Sequence, residues 1–294
     1  MSQTEPKVQW ELMLPHEMQA ALARCPTALV PLGTLEWHGV QSALGLDALK
    51  AHALCVQAAR QGGGVVLPPL YGGVGGVDEP YTVVMEPEEE INSRLLAPWL
   101  EQLLAELKRV GFRAVIVLTG HYGAAQQIAV RETAVRQMQR LAIPILGTPE
   151  YFLALDGGYL GDHGGPFETS LLMALQPDLV DVSRLEGDPP YQGISGDPKR
   201  HASVELGERL VRVMVDRLAR LAQRMPQWDA AQRRGFLRAE QALVSHQLER
   251  GGEEGDIWAA WGDVARLAPY AQLLVDERFA AVLSLVGGLG GPGQ

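Results

Sequence analysis

Residues 28–39 read ALVPLGTLEWHG, an apolar run that ends at a glycine and is followed at once by polar side chains. Residues 114–123, AVIVLTGHYG, repeat the pattern. Short apolar runs bounded by Gly or Pro are typical of buried strands. Two shorter runs elsewhere have similar boundaries. We therefore predict strands at Ala28–Leu32, Val65–Leu67, Ala114–Leu118 and Ile143–Leu146.

Helical periodicity fills the stretches between these strands. It predicts helices at 48–60, 90–109 and 124–141. The alternation of helices with strands that are apolar on both faces is typical of a parallel sheet covered by helices on both sides, so we predict an α/β fold. A short helix from Glu168 to Leu175 and a long amphipathic helix from Val204 to Gln223 follow.

The composition shifts further along, and we divide the chain into residues 1–225 and a C-terminal helical extension, residues 226–294. The extension reads as two helices, 229–249 and 264–285, joined by GGEEGD. It ends in GGLGGPGQ, which we expect to be a flexible tail.

The apolar faces of these two helices must be buried somewhere. Three places remain open: the chain's own core, a neighbouring subunit, or a lid over the candidate site. Trp258 and Trp261 would suit the centre of a subunit interface.

The chain carries 25 Lys and Arg residues against 35 Asp and Glu residues, a formal net charge of −10. A chain of this charge without a basic block has no electrostatic footprint for nucleic acid or anionic lipid. The apolar stretch at residues 279–286 is far shorter than the ~20 residues of a membrane span. The start, MSQTEPKVQWELM, shows no secretory pattern, and Cys25 and Cys55 read as buried reduced thiols. We therefore expect a cytoplasmic protein that binds neither nucleic acid nor membranes.

Polar side chains follow the predicted strands at their carboxyl ends, where parallel sheets bind ligands. Glu36 and His38 come after the first strand, and residues two apart in extended backbone project to the same side. His121 stands between glycines after the AVIVL strand. The segment DHGGPFE, residues 162–168, adds a histidine and a carboxylate at the start of a helix. The candidate site residues are Glu36, His38, Asp47, His121, His163 and Glu168.

Each of these residues has a purely structural alternative. Asp47 is a suitable N-cap for a helix that begins at Ala48. Glu168 lies in a first helical turn, where the helix dipole already favours a carboxylate. His121 could be an ordinary loop histidine. Independent caps and loop residues would not be expected to gather at strand carboxyl ends, so the joint pattern favours a shared site.

Two imidazoles and three carboxylates form a nitrogen and oxygen ligand set that suits Zn²⁺, Mn²⁺ or Fe²⁺. One carboxylate can bridge two ions, and a two-metal site acidifies a shared water to a nucleophile near neutral pH. The sequence therefore predicts a divalent-metal centre with two ions per subunit.

Four segments carry a resemblance to the creatininase (creatinine amidohydrolase) family. The resemblance implies a three-layer α/β/α fold with a mostly parallel sheet, a homo-oligomer, and a divalent-metal centre that hydrolyses amide-type C–N bonds. It extends over roughly residues 20–225. The segments are VPLGTLEWHG at 30–39, LTGHYG at 118–123, DHGGPFETSLLMALQPDLVD at 162–181 and GISGDPKRHASVELG at 193–207.

The resemblance also implies roles for individual residues. Carried over by position, Glu36 and His121 would bind one metal and His38 the other. Asp47 would bridge the two ions. His163 would be the acid/base histidine beside the substrate.

Two departures from the family pattern bear on the second metal and on the substrate. Creatinine-hydrolysing members carry Glu two residues after the histidine that matches His121, and this chain has Gly123 there. We expect Glu168 to supply the missing ligand and so to take part in catalysis. Creatinine hydrolysers also place tryptophans around the substrate, whereas this chain has no Trp between Trp99 and Trp228. Creatinine itself is therefore not predicted as the substrate.

We predict a metal-dependent amidohydrolase that acts on an amide, lactam, formamide or peptide-like bond of a small molecule. The alternative is a family member that has lost catalysis and binds a ligand or partner, which Gly123 and the altered segment VDEPYT, residues 77–82, would explain. A nucleotide-binding protein is a weaker third hypothesis, because GGVGG at 72–76 lacks the glycine spacing of dinucleotide-binding loops.

Overall fold

The computed structural model describes residues 6–88, 93–254 and 264–289. It contains one parallel sheet, formed by β1 (Thr27–Gly33), β2 (Val65–Val66), β3 (Leu70–Tyr71), β4 (Ala114–Thr119) and β5 (Ile145–Pro149). The strand order is β2-β1-β4-β5, and β3 pairs with the end of β1. The central strands β1 and β4 are buried along their whole length, as their apolar sequences predict.

Helices flank this sheet. In the described ranges they are α1 (Pro15–Arg24), α2 (Leu46–Gly62), α3 (Leu96–Val110), α4 (Ala124–Leu141), α5 (Pro166–Leu175), α6 (Pro198–His201), α7 (Val204–Arg224), α8 (Ala230–Glu254), α9 (Tyr270–Val275) and α10 (Phe279–Gly287). Helices α2, α5 and α7 pack together, with α2 and α7 against β1, whereas α3, α4 and α8 pack together, with α4 against β5. The predicted α/β fold is confirmed.

Helix α2 lies unusually close to the carboxyl ends of β1 and β4, because two glycines make room for it. A Cβ on Gly33 would lie 2.4 Å from the backbone nitrogen of Ala48, and a Cβ on Gly120 would lie 2.1 Å from the carbonyl oxygen of Asp47. The helix begins at Leu46, not at Ala48 as predicted, so Asp47 lies within the first turn. Its side chain is therefore free to point into the site.

Helix α3 begins later than the predicted Glu90. Residues 89–92 lie outside the described ranges, and the helix starts at Leu96. The carboxylate of Glu86 accepts hydrogen bonds from the backbone nitrogens of Leu95 (2.8 Å) and Leu96 (3.2 Å) and so caps this start. A cap ten residues upstream leaves no signal in a local sequence pattern.

The described part of the extension packs on the chain's own core. Helix α8 lies against α4, and its side chains Phe236 and Leu243 are fully buried. The buried guanidinium of Arg131 in α4 lies 3.5 Å from the carboxylate of Glu240 in α8. Tyr270 also donates a hydrogen bond of 2.5 Å to Glu240.

The prediction of one helix over 264–285 is wrong. This stretch forms a short 3-10 turn followed by α9 and α10. The chain turns between these helices at Glu277, whose backbone is left-handed (φ 59°) and whose carboxylate accepts a hydrogen bond of 2.7 Å from Arg224. Trp258, Trp261 and the end of the predicted flexible tail lie outside the described residues.

Two expectations concern membrane spans and thiols. Over residues 6–88, 93–254 and 264–289, none of the helices has both the length and the apolar character to cross a membrane. Cys25 and Cys55 are both buried free thiols, as predicted.

Gly120→Ala is expected to lower the free energy of unfolding by about 2 kcal/mol, because the new methyl group must displace the backbone of Asp47. Denaturant unfolding at neutral pH measures the change. The matched control is Gly157→Ala, whose Cβ would meet Leu210 at an ordinary 3.7 Å and should change stability by less than ~0.5 kcal/mol. Equal stability of the two variants would contradict the close approach of α2.

Candidate metal centre

All six candidate side chains meet beyond the carboxyl ends of β1 and β4. Five of them are almost fully buried, and His163 is half-buried at the edge of a cavity of about 490 Å³. The loop after β1 provides two of the five buried side chains, the loop after β4 provides one, and the first turns of α2 and α5 provide one each. The five buried residues are Glu36, His38, Asp47, His121 and Glu168.

The buried side chains form two groups that share Asp47. The first half of the centre adds Glu36 and His121, and the second half adds His38 and Glu168. In the first half, His121 Nδ1 lies 2.8 Å from Glu36 Oε2 and 3.3 Å from Asp47 Oδ2. In the second half, His38 Nε2 lies 3.1 Å from Asp47 Oδ1 and 3.6 Å from Glu168 Oε2. Within each half, the possible ligand atoms lie within 4.8 Å of one another. Asp47 thus offers one oxygen to each half.

Backbone carbonyls fix how the two histidines are protonated. His38 Nδ1 lies 3.0 Å from the carbonyl oxygen of Glu36, and His121 Nε2 lies 3.1 Å from that of Val74. A carbonyl oxygen only accepts, so each of these nitrogens donates its proton and the other ring nitrogen faces the carboxylates. Histidine ligands of metals are held in this way.

The buried carboxylates strongly favour positively charged groups in the site. Burial alone disfavours a charged imidazole, but Asp47 and Glu168 outweigh it and raise the pKa of His38 to about 9. Burial likewise opposes a charge on His121, and Glu36 and Asp47 raise its pKa well above the usual range. A divalent ion in each half would supply the same positive charge.

Asp47 provides a direct test of whether these residues fit a metal. Its Oδ1 is buried, and among the described residues it has no well-aligned hydrogen bond, although the imidazole of His38 lies 3.1 Å away. A buried carboxylate oxygen without a well-aligned donor is unusual in proteins. Nitrogen and oxygen donors around such an atom suit a divalent ion of the zinc or manganese type, so the residues fit the metal.

The structure assigns the helix caps to other residues. Asp162 caps α5, because its carboxylate accepts hydrogen bonds from the backbone nitrogens of Phe167 (2.8 Å) and Glu168 (3.1 Å). Gly45 occupies the N-cap of α2. Asp47 accepts a hydrogen bond of 2.8 Å from the hydroxyl of Thr34. Neither Asp47 nor Glu168 is therefore explained as a cap.

His163 lies between the two halves, and one of its ring nitrogens is within 4.8 Å of possible ligand atoms of Glu36 and His38. Its ring centre is 4.3 Å from that of His38, and its Nε2 lies 2.8 Å from the carbonyl oxygen of Trp37. Burial and the neighbouring His38 lower its pKa, which favours the neutral imidazole. His163 thus faces the cavity with Nδ1 able to accept a proton.

A buried network beside the second half was missed in the sequence. Lys50 Nζ lies 2.9 Å from Glu150 Oε1, donates a hydrogen bond of 2.9 Å to Tyr122 and contacts Glu168 Oε1. The hydroxyls of Tyr122 and Tyr159 are 2.5 Å apart. Burial raises the pKa of Glu150 to about 7, although Lys50 favours its carboxylate.

Two signals could have found this network. Lys50 follows Asp47 by three positions, which places both on one face of α2. Glu150 directly follows the carboxyl end of β5, the same kind of position that singled out His121.

Glu88 fills the space beside Gly123. A Cβ on Gly123 would lie 3.0 Å from Glu88 Oε2, and the carboxylate of Glu88 accepts a hydrogen bond of 3.2 Å from the backbone nitrogen of Ala125. Glu88 also lines the cavity, and burial raises its pKa. No pattern in the sequence connects residue 88 with residue 123, so this contact could not be predicted.

A family model described as "Creatininase: Creatinine amidohydrolase" matches residues 11–222. This chain belongs to the creatininase family. A creatinine amidohydrolase from Pseudomonas putida is 30% identical over 243 residues, which cover 69% of this chain and 91% of that relative. A 3-dehydro-scyllo-inosose hydrolase from Thermotoga maritima is 25% identical over 179 residues, 60% of this chain and 54% of that relative.

Solved creatininases share the fold of this member. A manganese form is 28% identical with a TM-score of 0.57, covering 75% of this chain and 99% of the other. A Zn-Zn variant is 26% identical with a TM-score of 0.59, over 75% and 99% of the chains. The predicted family, its amidohydrolase class and a metal-binding centre are confirmed.

Glu168→Gln is expected to weaken one metal and spare the other, because an amide oxygen is a poorer ligand than a carboxylate. Metal affinity at this site should fall by at least ~10–100-fold, which is the typical effect of removing a hydrogen-bond partner of a metal ligand. Metal content after dialysis against limiting Mn²⁺ measures it. The exposed Glu186→Gln should keep the wild-type content. An unchanged metal content in Glu168→Gln would exclude Glu168 as a ligand.

Proposed function

We propose that this creatininase-family enzyme hydrolyses an amide, lactam, formamide or peptide-like C–N bond of a small molecule with two divalent ions per subunit. The observation that carries this proposal is the position of Asp47, with one carboxylate oxygen in each half of the centre. Carboxylates in this position bridge the ions of two-metal hydrolytic sites.

Two sets of residues would each hold one ion. Glu36 and His121 would hold one ion with Asp47, and His38 and Glu168 would hold the other with the same Asp47. Bound divalent ions of this type acidify a water and polarise a substrate carbonyl. Zn²⁺, Mn²⁺ and Fe²⁺ all suit this ligand set.

His163 is the proton carrier of this proposal. It faces the cavity as a neutral imidazole whose Nε2 proton is donated to the carbonyl oxygen of Trp37. Nδ1 can therefore take a proton from the attacking water and pass it to the leaving nitrogen, as a general base and then a general acid.

The cavity favours a small polar substrate. Its volume of about 490 Å³ suits a small molecule, and its wall includes Glu88, Asp162 and the aromatic side chains Tyr122 and Tyr151. Burial, with the nearby Glu168 carboxylate, raises the pKa of Asp162 to about 7. A wall with tyrosines and carboxyl groups supports a substrate with hydrogen-bond donors, and creatinine is not proposed.

We also expect a cytoplasmic homo-oligomer. An apolar segment at the surface supports the assembly: Tyr81 is 74% exposed, and Val83 and Met85 are 57% and 50% exposed. Contiguous exposed apolar side chains of this kind mark interaction surfaces. The alternative, a member that binds without catalysis, is disfavoured because Glu168 occupies the second half despite Gly123.

His163→Asn is expected to lower kcat by ~10²–10⁴-fold because it removes the proton carrier. An unchanged metal content would show that His163 is not a metal ligand, although it lies within reach of Glu36 and His38. The measurement is amine or ammonia release from a panel of primary amides, lactams and N-formyl compounds. The control is His16→Asn at an exposed position, which should keep full activity. A fully active His163→Asn enzyme would overturn the assignment, and a wild-type enzyme inactive on every compound would favour the binding alternative.

A further inference from the structure

Lys50 is a buried cation in direct contact with the candidate metal centre. Its side chain is completely buried, and lysine is almost never fully buried unless it is paired. Its ammonium group contacts Glu168, lies 2.9 Å from Glu150 Oε1 and lies 3.9 Å from Asp47 Oδ1. None of the roles proposed so far accounts for it.

The contacts of Lys50 fall on one half of the centre. Glu168 is held by Lys50 through Oε1, while Oε2 accepts a hydrogen bond of 2.7 Å from Gly164 and lies 3.6 Å from His38 Nε2. Among the described residues, Lys50 makes no ion pair with Glu36 or with the Oδ2 atom of Asp47. The ammonium group therefore acts mainly on the second half, and it reaches the first only through the shared Asp47.

We propose that Lys50 is a positioning residue that makes the two metal sites unequal. It holds Glu168 so that a single oxygen faces His38, and its charge opposes a cation in the same half. The first half, Glu36 with Asp47 and His121, binds its ion tightly, and the second half binds an exchangeable ion. This inference rests on the proposed two-metal function.

Electrostatics gives the expected size of the effect. Two positive charges about 5 Å apart in a protein site with an effective dielectric constant of ~20 repel strongly enough to change affinity by tenfold or more. The carboxylate of Glu168 is also shared between the ammonium group and the ion, so each weakens the hold of the other. Both effects have the same sign.

Glu150 allows a second test with the opposite sign. It pairs with Lys50 at 2.9 Å and is in neither half of the centre, so it competes with Glu168 for the ammonium group. Without the charge on Glu150, Lys50 should bind Glu168 more strongly. A metal in the second half should then bind more weakly.

The experiment is a calorimetric titration of the metal-stripped, full-length protein with Mn²⁺. Wild type should show two sites of different affinity. Lys50→Met should tighten the weaker site on the order of tenfold or more and change the tighter site much less. Glu150→Gln should weaken the weaker site several-fold. Arg131→Met removes another buried cation, paired with Glu240, and should change neither site.

The outcomes separate this inference from the proposed function. Two sites in wild type that Lys50→Met leaves unchanged, or weakens, would overturn the role of Lys50 and keep the two-metal centre. A wild-type protein that binds no Mn²⁺ or Zn²⁺ would overturn both. If Lys50→Met does not fold, Lys50→Gln, which keeps a hydrogen-bond donor, and Glu150→Gln decide. Tightening by the first and weakening by the second support the inference, and any other result overturns it.

Discussion

The contact between the first turn of α2 and the backbone at the ends of β1 and β4 sets the geometry of the site. Gly33 and Gly120 allow this contact because each lies where a Cβ would collide with residue 47 or 48. It inserts Asp47 between His38 and His121, which come from different strand loops. Residues from distant parts of the sequence thereby share one carboxylate.

The sequence was informative where a local pattern reflects a local constraint. Apolar runs bounded by glycine predicted β1 and β4, and the polar residues beyond them predicted Glu36, His38 and His121 as neighbours. What it could not predict depends on contacts between distant segments. Glu86 caps a helix ten residues away, and Glu88 fills the space beside Gly123. Such pairings follow from packing in three dimensions. The periodicity and spacing of residues in the sequence do not predict them.

Burying a charged group in the interior of the site costs free energy of desolvation. The chain nevertheless buries many charged groups there. Glu36, Asp47, Glu150 and Glu168 lie within a few contacts of Lys50 and the two imidazoles. Apolar side chains of similar volume would often stabilise a core equally well or better. A concentration of charge that stability does not require is characteristic of chemistry, since perturbed titratable groups gather at functional sites.

The ion pair between Arg131 and Glu240 has a consequence for how this chain can change. Arg131 belongs to the part that the family model matches, whereas Glu240 lies beyond residue 222, where the match ends. Removing one partner of a buried pair leaves the other charge uncompensated, at a typical cost of ~3–5 kcal/mol. The C-terminal extension and the catalytic part therefore depend on each other in evolution. A lineage that lost α8 would also have to replace Arg131.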